Sequence, residues 1–388
     1  MGRTCDFVVV GLGAMGCAAL AQLAGRGTVI GIERVGSGHR GGSSHGESRI
    51  LRLSNFENPD YAPLIRRAVT YWEAMERTPQ EIFRKTGVLE AGPPDGALMA
   101  GTRAAAEAGG FSSELLTPRE AEARFPTLML PDTWEARFQD GGGYLRSDIA
   151  LERLREIALA TGQAQILNAG VAALREADGA VSVVTDTNEQ ISAGAVVVTT
   201  GPWIDGLIPS LRGKLTRSRQ VVGWFAGGRP QSVTPEALPV FCFDHADGFL
   251  YGFPDFMGLG VKAAFHDAGE SLSRSEDAAP VLPSEVERIR TLLQRLAGPM
   301  TTEPNTARTC IYTTARDQEF IIDRDPARAN VVFASACAGH GFKFAPAIGE
   351  MLADLACGAA SGGADGGGAD GGGADGLAPF RLDRPGLA

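Results

Sequence analysis

Apolar and polar positions alternate along this chain with two different periods. Residues 6–10, Asp-Phe-Val-Val-Val, are a short β-branched apolar run and predict a buried parallel strand. Gly11-Leu12-Gly13-Ala14-Met15-Gly16 follows at once. An Ala- and Leu-rich helix is expected over 14–25, then a second strand from Thr28 to Glu33. Leu64, Ala68, Trp72 and Met75 stand at helical spacing and predict an amphipathic helix over 61–76. Residues 85–145 are mixed, broken by Gly and Pro, and a helix is expected over 148–160. A Val-rich strand at 195–199 runs into Thr200-Gly201-Pro202. Alternation over 219–265, between turn signals, predicts antiparallel strands. Helices are expected over 283–297 and near 345–356, with a buried strand at 331–336 and a Gly-containing turn before the second of them. The near-repeat of Gly-Gly-Gly-Ala-Asp at 362–376 offers no side chains for a core and reads as a flexible surface loop. The tail Pro379 to Pro385 is expected to dock back on the body.

Length and charge narrow this picture. At 388 residues the chain has room for about two domains, and 44% hydrophobic residues is ordinary for a soluble globular protein. No apolar run reaches the ~20 residues needed to span a bilayer. Neither end carries a recognisable address, so the expected location is cytoplasmic. A formal net charge of −10 argues against nucleic acid and acidic membranes as partners. The six cysteines form no CxxC pair, so no zinc or other metal site is expected, and each by itself reads as an inert, buried thiol.

The glycine-rich turn changes the picture most. It follows a strand, opens a helix, and is succeeded by a strand ending in Glu33, the full context of a dinucleotide fingerprint. Gly11 permits the tight turn, Gly13 lets the backbone approach a pyrophosphate, and Gly16 allows close helix–strand packing. Ala14 and Met15 open the helix, whose free N–H groups face the phosphates. Glu33 is suited to ribose hydroxyls and would repel a 2′-phosphate, which disfavours NADP. The fingerprint alone does not separate FAD from NAD.

Three stretches concentrate cations beside glycines and aromatics: residues 43–52, 260–266 and 339–344. They hold three of the five histidines, His45, His266 and His340. Lys262 and Lys343 lie in apolar runs, where a lysine is costly unless it serves an anion or a reaction. Each such residue alone reads more readily as an ion-paired or satisfied core group. Beside a dinucleotide site the set gains chemical meaning, because Arg grips carboxylates bidentately, Lys adds a point charge and His moves protons near neutral pH.

Several segments resemble the monomeric sarcosine oxidase and N-methyltryptophan oxidase family of the D-amino acid oxidase superfamily. The N-terminal ones are Gly11–Gly16, His45-Gly46-Glu47-Ser48-Arg49-Ile50-Leu51-Arg52 and Lys85-Thr86-Gly87-Val88-Leu89. Arg219-Gln220-Val221-Val222-Gly223 and Tyr251-Gly252-Phe253-Pro254 continue the likeness. Cys310-Ile311-Tyr312-Thr313, Phe320-Ile321-Ile322-Asp323 and Gly339-His340-Gly341-Phe342-Lys343-Phe344 complete it. The resemblance implies FAD, attached covalently through Cys310, with His45 and Arg49 close to the flavin. It implies Arg52 and Lys343 as the clamp on a substrate carboxylate, Lys262 as the residue that activates dioxygen, and Tyr251, His266 and Tyr312 as cavity walls. The expected cofactor-binding set further includes Arg34, Ser43, Val171, Gly201, Gly339, His340 and Gly341. Ser44 stands where familiar members have a second histidine, and Leu53-Ser54-Asn55-Phe56-Glu57-Asn58 departs from their loop after Arg52.

The implied architecture is α/β + β: a Rossmann-like FAD-binding domain over 1–84, 146–218 and 315–388, and a substrate domain, built on a mainly antiparallel sheet, over 85–145 and 219–314. The implied activity is oxidation of a small secondary amino acid such as sarcosine, with dioxygen as acceptor, to glycine, formaldehyde and hydrogen peroxide, by a monomer. A second reading keeps the family and changes the substrate to a cyclic imino acid (proline, pipecolate) or another biosynthetic amine, or the acceptor to something other than oxygen. A third, flavin binding without turnover, is disfavoured by the presence of Lys262, Arg52 and Lys343.

Overall fold

The computed structural model describes residues 3–36, 41–226, 230–267, 269–273, 279–297, 303–358 and 374–387. The chain divides into two units: Met1–Glu47, Ser147–Arg217 and Ile311–Ala388 form the first, and Ser48–Arg146 and Ser218–Cys310 the second.

In the first unit the strand Arg3–Val10 lies between Val29–Glu33 and Gln190–Val198, parallel to both. Ala164–Asn168 extends the sheet in parallel beyond Val29–Glu33, and Val331–Ser335 pairs in parallel with the end of Gln190–Val198. These strands are covered on both faces, which is why they read as unbroken Val-rich runs: Val8, Val9 and Val196 to Val198 are fully buried. The helix Ala14–Leu23 packs against Ala345–Ala356 and Ser147–Ala160. Gly349 allows the closest approach, since a Cβ there would sit 2.6 Å from the Ala18 backbone. The pattern reading placed no strands over 164–185, yet Val171–Ala177 and Ala180–Thr185 form an antiparallel hairpin. Its turn is Asp178-Gly179, both at positive φ, the signature of a tight two-residue hairpin. The C-terminal tail docks within this unit, as expected. Arg384 holds both oxygens of Asp317 at 2.7 and 2.8 Å, and Phe380 and Leu387 are buried. Residues 362–373 of the Gly/Ala/Asp repeat lie outside the described residues.

The second unit is built on a large sheet in which Leu215–Ala226, Val261–Phe265, Gly248–Phe253, Val240–His245, Val88–Gly92 and Glu135–Gln139 are successive neighbours. The pairing of Val88–Gly92 with Val240–His245 is parallel, and the other registered pairs among these strands are antiparallel. Period-two alternation gives the sheet two unlike faces. One carries Leu89, Phe225, Phe241, Phe243, Leu250 and Phe265 into a core closed by Ile289, Leu292 and Leu293 of the helix Pro283–Ala297. The other carries polar and ionisable groups, described below. A small sheet of Ser48–Leu51, Gly143–Arg146 and Phe83–Arg84 completes the unit. Residues 48–84, assigned from sequence to the nucleotide unit, therefore belong with the second. Both of their strands pair with Gly143–Arg146, which no local pattern reveals.

Arg219, in one of the family-like motifs, has a structural task. Its guanidinium reaches both oxygens of Glu285 at 2.5 and 3.0 Å and the carbonyls of Ala279 and Pro280, tying down the start of the helix Pro283–Ala297. The Arg219 bond holds the Glu285 carboxyl below the usual carboxylate range. This contribution is therefore present above the ordinary carboxylate pKa and fades as pH falls through the depressed one. Arg219→Ala is expected to cost about 3 kcal/mol in urea unfolding, because it orphans a part-buried carboxylate and two carbonyls. A loss below about 0.5 kcal/mol would remove Arg219 from the list of structural anchors. No helix among the described residues is long and apolar enough to cross a membrane.

Candidate functional site

In the first unit, loops at the carboxyl ends of successive strands carry the expected cofactor residues. Val10 runs into Gly11, Val29–Glu33 into Arg34, Ala164–Asn168 towards Val171, Gln190–Val198 into Thr199-Thr200-Gly201, and Val331–Ser335 towards Gly339. In parallel sheets this edge is where dinucleotides bind. The geometry of the turn fits one. Gly11 has φ +88°, and a Cβ there would meet the Thr199 carbonyl oxygen at 2.8 Å. A Cβ on Gly16 would lie 1.8 Å from the Gly11 oxygen, so no other residue closes this turn. The helix after it has no acid in its first turn and no side-chain cap. The amides of Met15 and Gly16 thus stand at a helix start, where no intrahelical acceptor exists. Thr200 adds a hydroxyl oxygen out of solvent with no hydrogen-bond partner among the described residues, a polar atom suited to a ligand.

Glu33 is bonded more closely to the protein than expected. Its carboxylate accepts from Leu12 N at 2.9 Å and Val35 N at 3.3 Å, pinning the glycine turn to the second strand. Three residues of this cradle were not picked out as cofactor residues from sequence. Thr199 donates to the Gly11 carbonyl at 2.8 Å and locks the turn. Ser44, noted only as a departure, accepts from Ala14 N at 3.1 Å. Trp203, 40% exposed, lies under the Arg34 guanidinium at 5.5 Å. A Trp beside a glycine turn was the available signal for the last.

The same unit holds His45, Ser43, Tyr312 and the 339–343 turn. Ser43 donates to the Ile311 carbonyl at 2.6 Å, between Cys310 and Tyr312. Gly339 has φ +86°, and His340 stacks on Phe320 at 4.8 Å. Lys343 is 2% exposed and lies 5.0 Å from the Phe344 ring, confirming that this lysine is buried.

The polar face of the second unit carries Lys262, Tyr251 and His266. Cross-strand pairs set Trp224, Lys262 and Phe253 in one row, and Ala264, Tyr251, Cys242 and Glu90 in the next. Lys262 is 4% exposed. Its ammonium donates to the Ser48 carbonyl at 2.9 Å and the Ser48 hydroxyl at 3.1 Å, over the ring of Phe253 at 4.7 Å. Arg49 donates to the same carbonyl at 2.7 Å, so two cations converge on one oxygen. His266 and Phe249 meet edge to face at 5.8 Å, Phe249 stacks on Phe56 at 5.4 Å, and Arg52 lies over Phe56 at 4.1 Å. Sequence reasoning did not find Glu90. It is fully buried and 3.4 Å from Arg52, which also pairs with Glu57. Arg52, expected to hold a substrate carboxylate together with Lys343, is engaged by two carboxylates of the chain. A glutamate inside the apolar run Val88-Leu89-Glu90-Ala91 was the missed signal. Cys310 is half-buried, whereas burial pushes the Cys17 thiol up to about 11.

Comparison with known proteins gives these residues a context. The model of the family described as FAD dependent oxidoreductase matches residues 6–355. Monomeric sarcosine oxidase from Bacillus sp. (strain B-0618) is 33% identical over 358 residues, covering 90% of this chain and 92% of its own. N-methyl-L-tryptophan oxidase from Escherichia coli O139:H28 is 31% identical over 387 residues, covering 98% and 99%. Among solved structures, the open form of NikD, an amino acid oxidase of nikkomycin biosynthesis, aligns with TM-score 0.80 at 24% identity over 93% of this chain and 96% of its own. L-proline dehydrogenase from P. horikoshii aligns with TM-score 0.76 at 20% identity over 92% and 94%. These two likenesses speak to the fold alone, the Rossmann-like α/β unit with a sheet-based second unit. With a family model spanning residues 6–355 and relatives above 30% identity along nine-tenths of the chain or more, this protein belongs to the FAD dependent oxidoreductase family.

Proposed function

We propose that the protein is an amine-oxidising flavoenzyme whose substrate is a small secondary amino acid such as sarcosine. The observation that carries this reading is Lys262, buried and held with Arg49 on the Ser48 carbonyl, on the sheet face that also bears Tyr251 and His266. Relatives named for sarcosine and N-methyl-L-tryptophan support it.

FAD would be held by the Gly11–Gly16 turn, Glu33, Arg34, Ser43, Val171, Gly201 and the 339–343 turn, with Cys310 as its covalent anchor. Bound FAD supplies the two-electron acceptor for this chemistry. The chain's own residues do the rest. Lys343 and Arg52 receive the substrate carboxylate, and His266 accepts or donates the hydrogen bond that orients the amine as a neutral base. Tyr251 and Tyr312 line the cavity. The oxidised substrate is an imine, and water takes sarcosine on to glycine and formaldehyde. Lys262 presents a fixed positive charge where dioxygen takes up electrons on its way to hydrogen peroxide. In this reading the enzyme is cytoplasmic and monomeric.

Anaerobic addition of sarcosine to the purified protein is expected to bleach its flavin absorbance. A yellow protein that dithionite reduces and sarcosine does not would remove sarcosine as substrate. The search would then turn to proline, pipecolate and bulkier N-methyl amino acids.

A further inference from the structure

Arg52, in the second unit, is opposed by two carboxylates. Glu57 reaches it from the turn five residues on, and Glu90 from the strand Val88–Gly92 at 3.4 Å. Arg52 is 5% exposed and the Glu90 side chain fully buried, so bulk water screens the pair only in part. One carboxylate is enough to neutralise one guanidinium. A second one, in its ionised form, takes the cluster towards net negative charge. Burial pushes the Glu90 carboxyl up, against the pull of Arg52. A buried carboxylate costs free energy, so the chain gains no evident stability from placing one here.

We infer that Glu90 is a specificity-determining residue: it occupies Arg52 as an internal competitor and weakens the grip of that arginine on a substrate carboxylate. The inference rests on the proposed function only in taking Arg52 as a carboxylate receptor. The strand register explains how Glu90 does this. Glu90 pairs with Cys242, and Cys242 pairs with Tyr251, so the three side chains share one row on the polar face. Glu90 therefore acts from the same surface that the substrate would meet, through Arg52 and without touching the reacting atoms. Its consequence is a preference. An amine lacking a carboxylate loses less, relative to an amino acid, than it would at an unopposed arginine. Carboxylate binding becomes the term that Glu90 tunes.

The test uses the flavin-loaded enzyme and acetate, with binding read from the flavin absorbance change and no turnover required. Glu90→Gln keeps size and shape and removes the charge. It is expected to tighten acetate binding about tenfold, the scale of one unit charge several ångströms away in a partly screened site. The affinity for acetamide, the uncharged isostere, is expected to stay unchanged. In turnover, KM for an amino acid substrate should fall with little change in kcat. Unchanged acetate affinity would overturn the inference. Weaker acetate binding would also overturn it, making Glu90 a support that holds Arg52 in a receptive pose. Glu90→Leu, apolar and of similar bulk, is the second variant. If neither variant folds, Glu90 is a structural anchor and the inference fails. The outcomes separate from those of the proposed function: absence of bleaching by any amine sinks the amine-oxidase reading and leaves the acetate result standing.

Discussion

Lys262→Met is expected to slow the reaction of the reduced enzyme with dioxygen by about 10²-fold or more, while substrate affinity stays close to that of the parent. The ammonium is held by the Ser48 carbonyl and hydroxyl at 2.9 and 3.1 Å and lies over Phe253, so its position is fixed before oxygen arrives. A preplaced charge needs no reorganisation as negative charge develops on oxygen, which is how it would accelerate the step in the proposed reading. Methionine keeps the unbranched chain and the aromatic contacts and removes the charge together with its two hydrogen bonds to Ser48. Stopped-flow mixing of the reduced variant with oxygenated buffer measures the rate directly. A variant that reoxidises as fast as the parent would take the role from Lys262. Arg49, the other cation on the Ser48 carbonyl, would then be the residue to change.

Cys310→Ala is expected to move the flavin from pellet to supernatant when the protein is precipitated with acid. The parent should keep its colour in the pellet. Cys310 is half-buried and forms no disulfide, and the next carbonyl, Ile311 O, is held by the Ser43 hydroxyl. Covalent attachment needs a thiol that is accessible and unpaired. Colour left in the pellet of the variant would show a second attachment point. A variant that takes up FAD reversibly, and is then reduced by substrate, would separate the tether from the chemistry.

Much of the nucleotide unit was legible because its signals are local. Gly11, Gly13 and Gly16 announce themselves by steric need, and Val-rich runs announce strands buried on both faces. The helix Pro283–Ala297 matches its periodic reading at both ends, since its apolar stripe faces a single core. The hairpin Val171–Thr185 was also legible, through Asp178-Gly179, but its half-exposed strands carry weak apolar signal and the reading passed over them.

The chain's sequence by itself determined that there is a dinucleotide turn, which lysines are buried, and which family the protein joins. Only the tertiary structure decided who meets those residues. Lys262 finds Ser48 from 214 positions away, and Arg52 meets Glu90 from 38. Residues 48–84 changed units because two short strands pair with Gly143–Arg146. The physical reason is the same throughout. Periodicity and glycine sterics are written within a few residues, whereas charge pairing depends on strand register and sheet face, and these are set by partners distant in the chain.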